Sequence, residues 1–143
     1  MSEGVVTRLK YLKGYKSVVQ FDLEGIPNLL VDEPQPVGEG EGPNPTRLLS
    51  AAIGHCLTSS LVFCLNKARV KIKGLETTVT LSTARNEENR LRVNRTDVEI
   101  SLDVAEEDQE RVSRCLEVFE NYCTVSASVR KGIEINVNAK MKS

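Results

Sequence analysis

The chain has 143 residues, 40% of them hydrophobic, which is enough for one domain with a core of its own. Its formal net charge of −1 gives no electrostatic reason to bind nucleic acid or an anionic membrane. With no Trp, three Phe and three Tyr it also lacks the aromatic surface that base stacking needs.

Val5 to Leu12 reads as a strand rich in β-branched and apolar residues, and Lys13-Gly14 as a turn. Tyr15, Ser17, Val19 and Phe21 then alternate with Lys16, Val18 and Gln20, giving a second strand and a hairpin. Asn28 to Asp32 is a short third strand. Glu33 to Pro45 holds four Pro and three Gly, so it is a loop, and long loops inside compact domains are often functional. Asn44 is a good N-cap, and Pro45 suits the first helical position, where an N–H would be unpaired anyway. The helix that follows carries no charged residue from Leu48 to Asn66 and closes near Ala68 or Arg69. A surface helix shows a charged face, so this one is expected to be central and buried on most sides. Ser50, His55, Thr58, Ser59, Ser60 and Asn66 interrupt its apolar run, which argues against a membrane span.

Leu75, Thr77, Val79, Leu81 and Thr83 alternate as a strand, and Asn86 to Asn89 is a turn. Leu91 and Val93 are in phase with each other, but Val98, Ile100, Leu102 and Val104 are one residue out of phase with them. That slip predicts a bulge or bend near Asn94–Asp97. From Glu106 the chain turns acidic, as a helix start should. Val112, Cys115, Leu116, Phe119 and Cys123 then recur at helical spacing and predict a core-facing stripe. Thr124 suits the cap of a further short helix that Arg130, Lys131 and Gly132 close, and Ile133, Ile135, Val137 and Ala139 predict a last strand. The order β-β-β-α-β-β-α-α-β, with hairpin-joined strands, makes the fold class α+β with largely antiparallel sheet. No internal repeat or second-domain boundary is visible, so a single domain over residues 1–143 is expected.

Four Cys (56, 64, 115 and 123) in a chain this long do not make a disulfide-dense scaffold, and residues 1–8 lack a basic segment followed by an apolar run. A soluble, cytoplasmic protein with reduced thiols is expected. There is no C-x-x-C and only one His, so no metal site is expected, and no cofactor motif is present. Gly38-Glu-Gly-Glu-Gly42 carries carboxylates that repel phosphate. Free Cys usually behaves as a small buried hydrophobe, and that reading suits Cys64 and Cys115, which nothing polar marks out. Cys123 differs because it precedes a helix N-terminus, whose N–H groups favour a thiolate. Cys56 lies mid-helix beside His55, but adjacent helical residues point about 100° apart, so a Cys–His hydrolytic pair is not expected.

Gly42-Pro-Asn-Pro-Thr-Arg-Leu-Leu-Ser-Ala-Ala-Ile-Gly-His-Cys56 resembles the G-[PT]-x-P-x-x-L-[LF]-x-A-A-x-x-x-C motif of the OsmC/Ohr family, the osmotically inducible protein C and organic hydroperoxide resistance proteins. Cys123-Thr-Val-Ser126 resembles that family's second motif, C-P-V-S. The motif separation and element order match as well, so the resemblance covers nearly the whole chain. It implies an intertwined homodimer whose sheets wrap around a long central helix. It also implies a thiol peroxidase. Cys56 is then the peroxidatic thiolate that attacks an organic hydroperoxide, Cys123 resolves the sulfenic acid as a disulfide, and a small or protein dithiol reduces that bond. Such a pair is the reversible arrangement on the cysteine oxidation ladder.

The chain departs from the peroxidase members of the family at three places. Thr46 stands where they carry Glu, no Arg occurs between Lys10 and Pro45, and Thr124 replaces the Pro after the second Cys. A thiol without a nearby cation keeps a high pKa and reacts slowly. The competing reading is therefore a catalytically weak or inactive relative that holds an apolar ligand or senses redox state. Arg8, or Lys10, Lys13 or Lys16 from a partner chain, are the candidate substitutes for the missing cation.

Overall fold

The computed structural model describes residues 4–142. Contacts cluster into two units, one up to Leu49 and one from Ser50 onward. In the first unit, strands β1 (Arg8–Lys13), β2 (Lys16–Gln20) and β3 (Leu29–Val31) form an antiparallel sheet in that order. Leu9 pairs with Val19 and Val18 with Leu30. The β1–β2 turn passes through Gly14 at φ 56°, a left-handed conformation that costs glycine little.

The burial of β2 corrects the expected alternation, because Val19 and the charged Lys16 are its two buried residues. Lys16 is tolerated there because its ammonium meets Glu39 at 2.5 Å and Glu41 at 3.2 Å, and buried charges need such partners. Asp32 is also buried, and its carboxylate accepts the backbone N–H groups of Glu33 (2.8 Å), Glu39 (3.2 Å) and Glu41 (3.1 Å). Burial pushes the Asp32 carboxyl up, but these three N–H groups and the nearby Lys16 outweigh it and hold it below the usual carboxylate range. The loop after β3 is thus ordered by one buried carboxylate and one buried ammonium.

Helix α1 (Pro45–Lys67) begins in the first unit and continues into the second. Asn44 caps it as expected: its Oδ1 accepts the Arg47 N–H at 3.1 Å. The expectation that α1 is buried on most sides is corrected. Only Ile53, Gly54, Leu57, Leu61 and Leu65 are buried, along one stripe, and Phe63 is 63% exposed. By length and composition alone α1 is long and apolar enough to cross a membrane.

In the second unit, β4 (Gly74–Arg85) and β5 (Leu91–Asp103) form one long antiparallel hairpin. The predicted bulge is present: Ser82 pairs with Arg95 and Thr83 with Val93, leaving Asn94 as the extra residue. Helix α1 packs on β4 through Thr58 and Thr77, whose hydroxyls lie 2.7 Å apart, and through Gly54, where an added Cβ would stand 2.7 Å from Val79 Cγ2. A 3₁₀ turn at Glu106–Asp108 then leads into α2 (Gln109–Val118). A second 3₁₀ turn follows at Phe119–Tyr122, and then α3 (Thr124–Lys131). Val112, Cys115, Phe119 and Cys123 form the predicted stripe, but Leu116 is 48% exposed and does not belong to it. The cap of α3 is Cys123 rather than Thr124, and Gly132 at φ 80° closes the helix.

The last predicted strand does not form. Residues 133–142 have no regular structure, and Ile133, Ile135 and Val137 are 60%, 79% and 84% exposed. Alternation fits them to a sheet, but no strand among the described residues pairs with them.

Cys64 and Cys115 are joined as a disulfide, with Cα atoms 5.8 Å apart. This corrects the expectation of four separate thiols. Cys64 on α1 and Cys115 on α2 each lie on the buried seam, and two cysteines facing across a helix pair at that spacing have bonding geometry.

Candidate active site: Cys56 and Cys123

Cys56 and Cys123 are the two free cysteines among the described residues. They come from elements far apart in sequence. Cys56 lies midway along α1, one residue before the buried Leu57. Cys123 sits at the break between the second 3₁₀ turn and α3, with extended backbone at φ −83°, ψ 104°. That break is what lets one residue face α1 while the next begin a new helix. The first N–H groups of a helix have no partner in the helix itself, and here the Val125 N–H is aimed at the Cys56 sulfur, 3.4 Å away.

The two sulfurs differ in access. Cys123 is 1% exposed, whereas Cys56 is half-buried. Burial pushes the Cys123 thiol up. Hydrogen bonds with the Cys56 thiol, with the Ser126 hydroxyl and N–H and with the Ser60 hydroxyl outweigh that and hold it below the ordinary thiol range. The Ser126 hydroxyl is buried and meets no nitrogen or oxygen partner, which leaves the Cys123 sulfur as the group it can serve. Negative charge is therefore favoured on Cys123, with the Cys56 thiol, two hydroxyls and the Ser126 N–H around it.

Beside the pair lies a cavity of about 120 Å³ lined by Ile53, Leu57, Thr96, Val98, Ser126, Val129 and Arg130. It is apolar on most sides and shares Ser126 with the thiol site. Arg130 is held by Glu120 at 2.7 Å. His55 points away from the thiols, as its place on the helix predicts: it is exposed, lies 3.4 Å from Ser59 and lines a separate open groove with Ser50 and Thr77. No group of three or more His, Cys, Asp or Glu able to hold a metal occurs among the described residues.

Sequence reading picked out Cys56 and Cys123 and missed Ser60, Ser126 and the Val125 N–H. Two signals were available. Ser60 is four residues after Cys56 and Ser126 three after Cys123, so each hydroxyl is one helical turn from its cysteine. Of the substitute cations, Lys16 is tied to Glu39 and Glu41 of its own chain, and Arg8 meets Asp22 at 3.1 Å.

The sequence profile of OsmC-like protein matches residues 38–138, which include both cysteines and most of the second unit. No curated protein sequence matches the chain. The structure is similar to an OsmC-like protein of unknown function from Vibrio cholerae, with a TM-score of 0.75 at 12% identity over 89% of this chain and 93% of that one. An OsmC-like protein from Mycoplasma pneumoniae gives 0.75 at 14% identity over 96% of both chains. An organic hydroperoxide resistance protein OsmC from Legionella pneumophila gives 0.64 at 20% identity, over 90% of this chain and 92% of that one. At these identities the likeness is one of fold, and the family rests on the profile. The chain belongs to the OsmC-like protein family.

Proposed function

We propose that this protein is a thiol-dependent peroxidase that reduces organic hydroperoxides through Cys56 and Cys123. The observation that carries the reading is the meeting of these two free cysteines, one accessible and one buried, at the N-terminus of α3. The Cys56 thiolate attacks the outer oxygen of the hydroperoxide. An S–O bond forms, the O–O bond breaks, and the alkoxide leaves as alcohol after taking a proton. The Cys123 thiolate attacks the Cys56 sulfur, the S–S bond forms as the S–O bond breaks, and the expelled hydroxide takes a proton from solvent to leave as water. A dithiol then reduces the disulfide. Attack on the accessible Cys56 sulfur expels Cys123, the better leaving group because its thiolate is favoured. The apolar cavity beside the pair suits a short alkyl or aryl group better than water-like hydrogen peroxide. The hydroperoxide resistance protein among the similar structures supports the same substrate class.

This reading takes the chain as one soluble, cytoplasmic domain acting as a homodimer. The exposed apolar row Ile133, Ile135 and Val137, unpaired within the chain, supports the second copy.

A specific observation favours a second reading, in which the protein binds an apolar ligand or senses redox state without turnover. Thr46 replaces the expected Glu, and Lys16 is neutralised by Glu39 and Glu41. A titration of the reduced protein with cumene hydroperoxide and with hydrogen peroxide separates the two. Rapid loss of the Cys56 and Cys123 thiols, faster with the organic peroxide and abolished in Cys56→Ser, is expected for the peroxidase. Reaction no faster than that of free cysteine rejects it.

A further inference from the structure

Two more cysteines lie on the same seam. Four residues along α2 from Arg111 is Cys115, and four residues back along α1 from Ala68 is Cys64. Arg111 donates to the Ala68 carbonyl at 2.7 Å, and Cys64 is bonded to Cys115. A further eight residues in each direction brings Cys56 to Cys123. The α2–α3 segment therefore runs antiparallel to α1 in one register. It carries a polar anchor, a disulfide and then a free thiol pair. On α1 the two pairs are about 12 Å apart, too far for one to exchange directly with the other.

The environments of the pairs differ. Cys115 is 2% exposed and Cys64 half-buried, so Cys64 is the more open side of the bond. Ala68, Cys64 and Arg111 fix the near end of α2. The Phe119–Tyr122 turn and Cys123 come directly after it.

We propose that Cys64 and Cys115 are a second thiol–disulfide couple, separate from the Cys56–Cys123 pair. Cys64 is its point of entry for low-molecular-weight disulfides, and its oxidised form clamps α2 onto α1. The Cys64 thiolate attacks one sulfur of oxidised glutathione, forming a mixed disulfide and expelling one glutathione thiolate. The Cys115 thiolate then attacks the Cys64 sulfur and expels the second. The protein loses two thiols, and two molecules of reduced glutathione appear. The bond closes a long loop, with 51 residues of separation, so it restricts the unfolded chain strongly. The inference does not depend on peroxidase activity.

The test uses the reduced full chain carrying Cys56→Ser and Cys123→Ser, in which only the second couple remains. Oxidised glutathione is added, samples are alkylated and mapped by mass spectrometry without reduction, and melting is followed in parallel. The expected course is a transient glutathione adduct on Cys64, then a Cys64–Cys115 linked peptide with both thiols lost. Tm should rise by roughly 10 °C and return on adding dithiothreitol. Should that double variant not fold, Cys115→Ser and Cys64→Ser in the otherwise native chain carry the same test. The first should accumulate a stable adduct on Cys64, and the second should form none on Cys115. Both cysteines remaining open to alkylation, an adduct entering at Cys115, or a linked peptide with no rise in Tm would overturn the proposal.

Discussion

Two cysteines of α1 each meet a second cysteine, one on α2 and one at the start of α3, and the two pairs differ in what surrounds the sulfurs. Cys64 and Cys115 face each other from within α1 and α2, where the backbone N–H groups are taken up by the helices themselves. Cys56 and Cys123 meet where α3 starts, with the Val125 N–H and the Ser60 and Ser126 hydroxyls turned toward them. Burial is not what separates the pairs, since Cys115 and Cys123 are 2% and 1% exposed. The difference is the break in the helix after Tyr122, which supplies unpaired donors to stabilise a sulfur anion. One pair is suited to hold two helices together and the other to carry charge.

The comparison is broken most severely by removing the sulfur proposed to attack the hydroperoxide. Cys56→Ser is expected to slow hydroperoxide-dependent thiol loss by about 100-fold or more, the scale of a lost covalent nucleophile. Cys64→Ser with Cys115→Ser should leave that rate within about twofold, because the pairs are too far apart to exchange directly. Stopped-flow thiol assays measure both. Leu61, which lies between the pairs on α1 and is fully buried, serves each of them. Leu61→Ala is expected to destabilise the protein by about 2–5 kcal/mol in urea unfolding, through lost burial and a cavity. Gly54→Ala is a milder disturbance of the same helix against β4. Its Cβ would crowd Val79, and a loss of about 1–3 kcal/mol is expected.

The smallest change sharpens the comparison without breaking it. Ser126→Ala removes a hydroxyl that lowers the Cys123 pKa, so the pH midpoint of Cys123 alkylation should move up toward the ordinary thiol value. In the reduced protein the folded-state pKa of Cys123 is depressed, so its contribution to stability is complete above the unfolded value of about 8.5 and is lost as pH falls through the lowered one. Ser126→Ala should flatten that pH dependence in melts of the reduced protein.

Local chemistry made much of this legible in the sequence. Gly14 marked the first turn, Asn44-Pro45 the start of α1, and the phase slip between Val93 and Val98 the bulge at Asn94. The spacing of Val112, Cys115, Phe119 and Cys123 gave the buried stripe. What failed were inferences that needed a partner across space. The alternation of Ile133, Ile135 and Val137 says that a strand has two faces, not that another strand is there to pair with it. The absence of charge on α1 says that no residue demands water, not that every face is covered. Cys64 and Cys115 each read as core residues, and their bond lay in the register of α1 against α2, which neither helix encodes alone. Ser60 and Ser126 matter only because that same register brings Cys56 to Cys123.

The most direct test of the central claim is disulfide mapping of the native chain, taken with Cys56 and Cys123 reduced, after one equivalent of cumene hydroperoxide. The account predicts a Cys56–Cys123 linked peptide formed within the mixing and quench time, with the linkage of Cys64 and Cys115 unchanged. Cys56 and Cys123 both recovered as alkylated thiols, while the hydroperoxide persists, would contradict it.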